Sequence, residues 1–279
     1  MSSDDPSALA RHYGPWAVVA GGSEGVGAEF ALALAEAGVH LVLIARKPEP
    51  LRHTADRCRG HRVQVRELAL DLAGPDNVAR VVEATRDLEV GLLIYNAGAN
   101  THSAEFLDGD LSAFQRVIDL NVTTPLGLIH HFGAAMRARR RGGVLLVGSL
   151  TGYLGSARQS VYGGVKAFGR IYAEGLWLEL RDYGVHVLEL VLGVTRTPAM
   201  ARAGLNFDVP GLRVSEPAEV AREGLERLPH GPVHVVAAHA DSPALRSTDD
   251  RAQAVLASHR LMQKLLAAAP RKPDAPTAG

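Results

Sequence analysis

Trp16-Ala17-Val18-Val19-Ala20-Gly21-Gly22-Ser23-Glu24-Gly25-Val26-Gly27, running into the alanine-rich residues 28–37, places an apolar run, a glycine loop and a helix-forming segment in that order. The apolar run is short enough for a buried strand, and the alanine-rich segment favours a helix. Gly21 permits a tight turn that a Cβ disfavours, Gly25 lets backbone amides approach a pyrophosphate, and Gly27 allows close helix–sheet packing. The loop amides, those of Ser23, Glu24 and Val26 among them, combine with the helix dipole to form an anion site. An ordinary loop could carry glycines too. Its place between a strand and a helix near the amino terminus makes this one a nucleotide-site signal.

Outward from that loop, short apolar runs alternate with helical stretches at residues 17–20, 41–45, 63–68, 92–95, 144–148, 185–192 and 233–237. Seven strands separated by helices predict parallel pairing through right-handed crossovers, and near-continuous apolar character predicts a sheet covered on both faces. The expected fold class is α/β: a single-domain, Rossmann-type doubly wound parallel sheet. Residues 1–12 read as an amino-terminal extension, 13–269 as one catalytic domain, and 270–279, rich in Pro, Ala and charge, as a disordered tail. A helix is expected over about residues 246–269.

The chain has 279 residues, with 30 basic and 30 acidic side chains. That balance, with scattered arginines, argues against nucleic-acid binding. The single Cys58 cannot form an intrachain disulfide, the first ten residues hold two aspartates and no apolar signal core, and no stretch is long enough to span a membrane. Cytoplasmic residence is the expected default. His130 and His131 invite a metal reading, but adjacent helical positions point apart and no carboxylate or cysteine spacing completes a site, so no metal is expected.

A second constellation carries chemistry. In Ser160-Val161-Tyr162-Gly163-Gly164-Val165-Lys166, Tyr162 and Lys166 stand four residues apart, with Ser149 thirteen residues upstream and Asn121 farther back. A helix brings i and i+4 onto one face, so the Lys166 ammonium can lie beside the Tyr162 phenol. A neighbouring cation favours phenolate, lowering the pKa toward the working range of a general acid or base. Tyr162 is therefore the candidate acid/base. At the end of the second apolar run, Ala45-Arg46-Lys47 carries no carboxylate; a neutral residue followed by cations accommodates the extra phosphate of NADP, where Asp or Glu would hold the ribose hydroxyl of NAD. NADP(H) is therefore favoured over NAD(H), with Glu24 opposing.

Over nearly its whole length the chain resembles the short-chain dehydrogenase/reductase family. The family's Thr-Gly-x-x-x-Gly-x-Gly corresponds to Ala20 through Gly27, its Asn-Asn-Ala-Gly to Tyr95-Asn96-Ala97-Gly98, and its Pro-Gly-x-x-x-Thr to Leu192-Gly193-Val194-Thr195-Arg196-Thr197. The resemblance implies that Asn121, Ser149, Tyr162 and Lys166 are catalytic. It implies cofactor contacts at Asp71 and Leu72 for adenine, at Asn96, Ala97 and Gly98, and at Gly193, Thr195 and Thr197, the last near a nicotinamide carboxamide. Tyr162 and Lys166 would also touch the cofactor. Three departures stand out: Ala20, Tyr95 and Leu192 replace threonine, asparagine and proline. The first two should weaken the brace between the first and fourth strands, and the third relaxes a fixed φ.

The activity implied is interconversion of a ketone or aldehyde with an alcohol, a carbonyl reductase. A lid is implied over about residues 197–214, whose Met200, Leu205 and Phe207, with Tyr153 and Leu154 after the serine, suggest a largely apolar substrate pocket; equally, these side chains could simply pack the lid down. Pairing through helices near residues 112–139 and 161–183 implies a homodimer or homotetramer. Other readings stay open: a dinucleotide-binding regulator or sensor with little catalysis, and an NAD-using enzyme of the same fold, such as an epimerase or dehydratase.

Overall fold

The computed structural model describes residues 6–247 and 250–267. The tail at 270–279 lies outside them. Seven strands form one parallel sheet: β1 (Trp16–Ala20), β2 (His40–Ala45), β3 (Val65–Ala69), β4 (Val90–Tyr95), β5 (Gly142–Ser149), β6 (Val185–Leu192) and β7 (Val233–Val235). Their order is β3-β2-β1-β4-β5-β6-β7. Winding starts at β1 and runs outward both ways, so the reversal falls between β1 and β4, where an open α/β sheet leaves a crevice at its carboxyl edge. All seven apolar runs became strands. The two at the sheet's edges, β3 and β7, are shorter than their runs, because an edge strand has a hydrogen-bonding partner on one side only.

The helices are α1 (Pro6–Tyr13), α2 (Gly25–Glu36), α3 (Pro48–Arg59), α4 (Asn77–Thr85), α5 (Leu111–Ile118), α6 (Thr124–Arg139), α7 (Ser160–Leu180), α8 (Pro198–Arg202), α9 (Pro217–Arg227), α10 (Ser242–Arg246) and α11 (Arg251–Ala267). Alternation along each strand splits the core in two. Ala17, Val19, Leu41, Leu43 and Ile94 face Phe30, Leu34, Leu51 and Val220 of α2, α3 and α9. Val18, Ala20, Val42, Leu93 and Val187 face Val81, Leu128, Phe132 and Ala173 of α4, α6 and α7. Both faces are thus dry, which is why the strands read as unbroken apolar runs.

At the amino terminus, α1 ends on Tyr13, fully buried, whose hydroxyl hydrogen-bonds Nδ1 of His186 on β6 at 2.8 Å. The helix expected over about 246–269 corresponds to α11, which starts later, at Arg251; Arg246 instead ends the short α10, and residues 268–269 lie outside the described ones. No helix among the described residues is long and apolar enough to cross a membrane.

Candidate active site

The glycine loop ends β1 with a turn that only glycine adopts without strain. Gly21 has φ +83°, and a Cβ there would stand 2.8 Å from the Ala97 nitrogen. Its own N–H donates to the Ile44 carbonyl at 2.7 Å, the Asn96 side-chain amide donates to the Gly21 carbonyl at 3.0 Å, and the Asn96 N–H donates to the Ala20 carbonyl at 2.9 Å. The loops after β1 and β4 are therefore locked together despite Ala20 lacking a hydroxyl. Ser23 offers its carbonyl to Thr54 at 3.1 Å. Gly25 and Val26 open α2, and Gly27 packs on the Gly21 carbonyl. This leaves a helix amino terminus facing the crevice, the arrangement a pyrophosphate needs.

Around the loop lie the other expected cofactor contacts. Ala45 ends β2, exposed Arg46 follows it, and Lys47 precedes the first turn of α3. Arg46, Asp71, Thr101, His102 and Arg116 line one cavity of about 190 Å³. Asp71 is not free there: Arg116 pairs with Oδ2 at 2.8 Å, and Oδ1 accepts from the Ala73 N–H at 3.1 Å. Leu72 is buried, and its carbonyl accepts from Asn77 at 2.7 Å and Thr124 at 2.6 Å. Thr197 caps α8, accepting from the Met200 N–H at 3.2 Å, and its methyl lies against Gly25. Thr195 is buried, with its hydroxyl on the Gly193 carbonyl at 3.3 Å.

The proton-transfer group assembles at the carboxyl ends of β4 and β5. Between α5 and α6 the chain widens into a single π-helical turn, Asp119–Thr123, which carries Asn121; such turns mark functional positions in helices. Its side-chain amide donates to Ala99 at 3.1 Å and Val117 at 2.9 Å, so Oδ1 is turned inward, buried and without a partner among the described residues. Tyr95 shapes this turn. Its buried hydroxyl donates to the Leu120 carbonyl at 2.6 Å, so a residue expected to weaken a brace supplies a different one, from β4 to the π turn.

Ser149 ends β5 as the cap of a short turn, its hydroxyl accepting from the Thr151 N–H at 3.2 Å and donating to the Thr151 hydroxyl at 3.0 Å, and it acts to lower the pKa of Tyr162. Lys166, buried on α7, donates to the Val147 carbonyl at 2.9 Å. A Cβ at Gly98 would lie 2.6 Å from Asn121 Oδ1 and 2.7 Å from Lys166 Nζ, so both polar atoms close on one point. The structure thus brings Asn121 next to Lys166, and Lys166 next to Tyr162, with Ser149 at the end of the adjoining strand.

One expectation does not hold. Tyr162 was to have a lowered pKa from Lys166; instead burial pushes it up to about 12, with the Ser149 hydrogen bond pulling the other way. The Lys166 ammonium sits 5.6 Å from the ring centroid, anchored on Val147. Desolvation of the phenol therefore sets the direction.

The expected substrate residues are placed less uniformly. Leu154 is buried, and Tyr153 lies under the Arg170 guanidinium at 4.0 Å. Phe207 lies under Arg196 at 5.0 Å, Leu205 is half-buried, and Met200 is exposed. Three residues escaped sequence reasoning: Arg116, Arg202 and Glu189. Arg202 of α8 forms a two-pronged ion pair with Glu24 of the glycine loop, one prong at 2.9 Å, tying the segment after β6 to the loop. Glu189 is 2 % exposed in the middle of β6; a lone acid inside Val185–Leu192 was its visible signal.

Comparison with known proteins agrees with this geometry. The short chain dehydrogenase family model matches residues 15–206. The 7β-hydroxysteroid dehydrogenase of Clostridium sardiniense is 29% identical over 217 residues, covering 77% of this chain and 83% of the relative. A structure solved to explain 7β-hydroxysteroid dehydrogenase stereoselectivity superimposes with TM-score 0.81 at 26% identity, covering 89% of this chain and 98% of the other. A short-chain dehydrogenase from Sphingobium yanoikuyae in complex with NADPH gives TM-score 0.74 at 29% identity, covering 94% and 99%. The chain belongs to the short-chain dehydrogenase/reductase family of oxidoreductases.

Proposed function

We propose that the chain is an NADP(H)-dependent carbonyl reductase for ketones with a sizeable apolar body, with Tyr162 as its acid. The observation that carries this is the meeting of Ser149, Tyr162, Lys166 and Asn121 beside a glycine loop built for pyrophosphate. When bound, a nicotinamide supplies the hydride. Ser149 Oγ and Tyr162 Oη hold the substrate's carbonyl oxygen, and Tyr162 gives its proton to that oxygen as negative charge builds on it. A phenol pushed up to about 12 stays protonated at neutral pH, which suits the reducing direction. Lys166 faces the phenolate left behind, and Asn121 orders the route by which protons return.

The loop fits the cofactor on the chain's own geometry: Gly21 and Gly25 both have positive φ, and a Cβ on Gly21 would collide with the Asn96–Ala97 backbone and push the two loops of the crevice apart. Arg46 and Lys47 at the tip of β2 favour the 2′-phosphate, and Arg202 neutralises Glu24, which otherwise opposes it. An apolar substrate is in keeping with the steroid enzyme that the chain is similar to. Phe168, Ile171 and Leu178, all exposed on α7, support pairing into a homodimer or homotetramer, which light scattering in solution tests.

The test is NADPH and NADH consumption across bulky ketones, for wild type and Tyr162→Phe. We expect faster turnover with NADPH, and in the variant a loss of about 10²–10⁴-fold with NADPH binding, read by fluorescence, retained. Wild-type-like turnover in the variant overturns the assignment. Tight NADPH binding with silence across every ketone favours the sensor instead.

A further inference from the structure

Glu189 occupies a position where a carboxylate costs stability. It lies on the face of β6 that also carries Val185 and Val187, in register with Leu146 of β5 and Val233 of β7, and is almost wholly buried beneath α7. Its Oε2 has no hydrogen-bond partner among the described residues. Space has been cleared for it: a Cβ on Gly148 would stand 2.5 Å from Oε1, and one on Gly169 would stand 3.2 Å from the same atom. A leucine would fill such a place at no electrostatic cost, and a buried carboxylate is tolerated only where a cation answers it.

The candidate cations all come from α7. Lys166 and then Arg170 pull the Glu189 pKa down, while Glu174 on the same helix opposes; the strands on either side present Leu146, Gly148 and Val233, with no charge. Arg170 is committed to the Tyr153 ring. Lys166 and Glu189 share the walls of a cavity of about 30 Å³ with Tyr95, Asn121 and Tyr172, and that is wide enough for a bridging water. Burial lowers the Lys166 pKa, and Glu189 is the one group that pulls it back up; burial raises that of Glu189, and Lys166 is the first to pull it down. Tyr162 feels neither charge comparably, its shift coming from burial and Ser149.

We propose that Glu189 is the internal counter-charge of Lys166, a positioning residue that holds the buried ammonium protonated and aimed at Val147 and the crevice from behind the sheet's carboxyl edge. This rests on the reductase reading for its catalytic consequence, and for the pairing on the shared cavity and the unanswered Glu189 Oε2, with the opposite influence of each group on the other beside them. The carboxylate never meets substrate. It acts through Lys166, sustaining the charge that faces the phenolate after Tyr162 has given up its proton. Without it, burial alone acts on Lys166, and the amine discharges at lower pH.

The test has two parts. The first needs no substrate: urea unfolding at pH 7 of wild type, Glu189→Gln, Lys166→Met and the double variant. Each single change leaves one buried group unanswered, so we expect the double variant to be more stable than the sum of the two single losses allows. The second is the alkaline limb of ketone reduction, which we expect to move down by at least one pH unit in Glu189→Gln. That is a tenfold change in the proton equilibrium, about 1.4 kcal/mol. A buried acid with a purely structural role would leave that limb where it is. Additive unfolding losses, or an unmoved limb, overturn the proposal. Coupled unfolding with no turnover in any variant, wild type included, sinks the reductase reading and leaves the Lys166–Glu189 pair standing.

Discussion

At the floor of the crevice, Asn121 Oδ1 and Glu189 Oε2 are buried without hydrogen-bond partners among the described residues, whereas the segment after β6, proposed as a lid, is exposed and paired, through Arg202 with Glu24, Arg196 with Glu216 and Arg213 with Asp241. The two walls spend stability differently. On the floor, desolvation makes each charge or dipole worth several times its value in water, so a misplaced atom is costly to both fold and chemistry. In the lid, each ion pair sits in solvent, where it is weak and screened by salt. On the proposed function, the wall that would aim a proton is rigid and frustrated, and the wall that would admit a cofactor is held by contacts that exchange readily with water.

The strongest way to break that contrast is Gly98→Ala. The added Cβ would fall within 2.7 Å of both Asn121 Oδ1 and Lys166 Nζ, and Asn121 is pinned by two hydrogen bonds from its amide. Lys166 must therefore yield. A displacement on the order of 1 Å near the reacting groups costs about 10²-fold in turnover, and we expect at least that loss with NADPH and a bulky ketone. Circular dichroism should show the sheet intact, since residue 98 lies beyond β4. Near-normal turnover would mean the floor is as yielding as the lid.

Next in size is Tyr95→Phe, which removes the hydroxyl and strands the Leu120 carbonyl in the π turn. For a fully buried pair the expected loss is about 1–3 kcal/mol, read from urea unfolding. Turnover should fall as well, because Asn121 rides on the loosened turn, though by less than in Gly98→Ala. An unchanged unfolding midpoint would show that the turn holds itself, and the floor would then be less frustrated than its geometry implies.

The contrast also governs what could be read in advance. The seven strands were legible because both faces of the sheet are dry, which leaves unbroken apolar runs; the Tyr162–Lys166 pair was legible from its i, i+4 spacing on a helix, whereas Asn121 and Ser149 were read by their order and by the family resemblance. The π turn was not, since one extra residue per turn leaves no periodic trace over five positions, and with it went the true role of Tyr95. The raised pKa of Tyr162 was missed for a related reason: i and i+4 spacing gives proximity to Lys166 but says nothing of burial, which here decides the sign. Glu189 left a mark as the single acid within Val185–Leu192, whereas Arg202 left none. Its partner Glu24 is 178 residues away, and only the folded lid brings them together.

That pair yields the smallest and most discriminating expectation. In Arg202→Ala, Glu24 is left unanswered beside the loop that would take a pyrophosphate. Because the pair is solvent-exposed, its loss should change stability by no more than about 0.2–1 kcal/mol. Affinity for NADPH should weaken by at most about fivefold, more than for NADH, whose charge is smaller. Raising the salt concentration should shrink the difference between variant and wild type, since screening removes the same interaction that the substitution removes. Fluorescence titration of both dinucleotides at low and high salt measures this directly. A loss far above fivefold, or one indifferent to salt, would place Arg202 with the floor residues, as a group whose aim matters more than its charge.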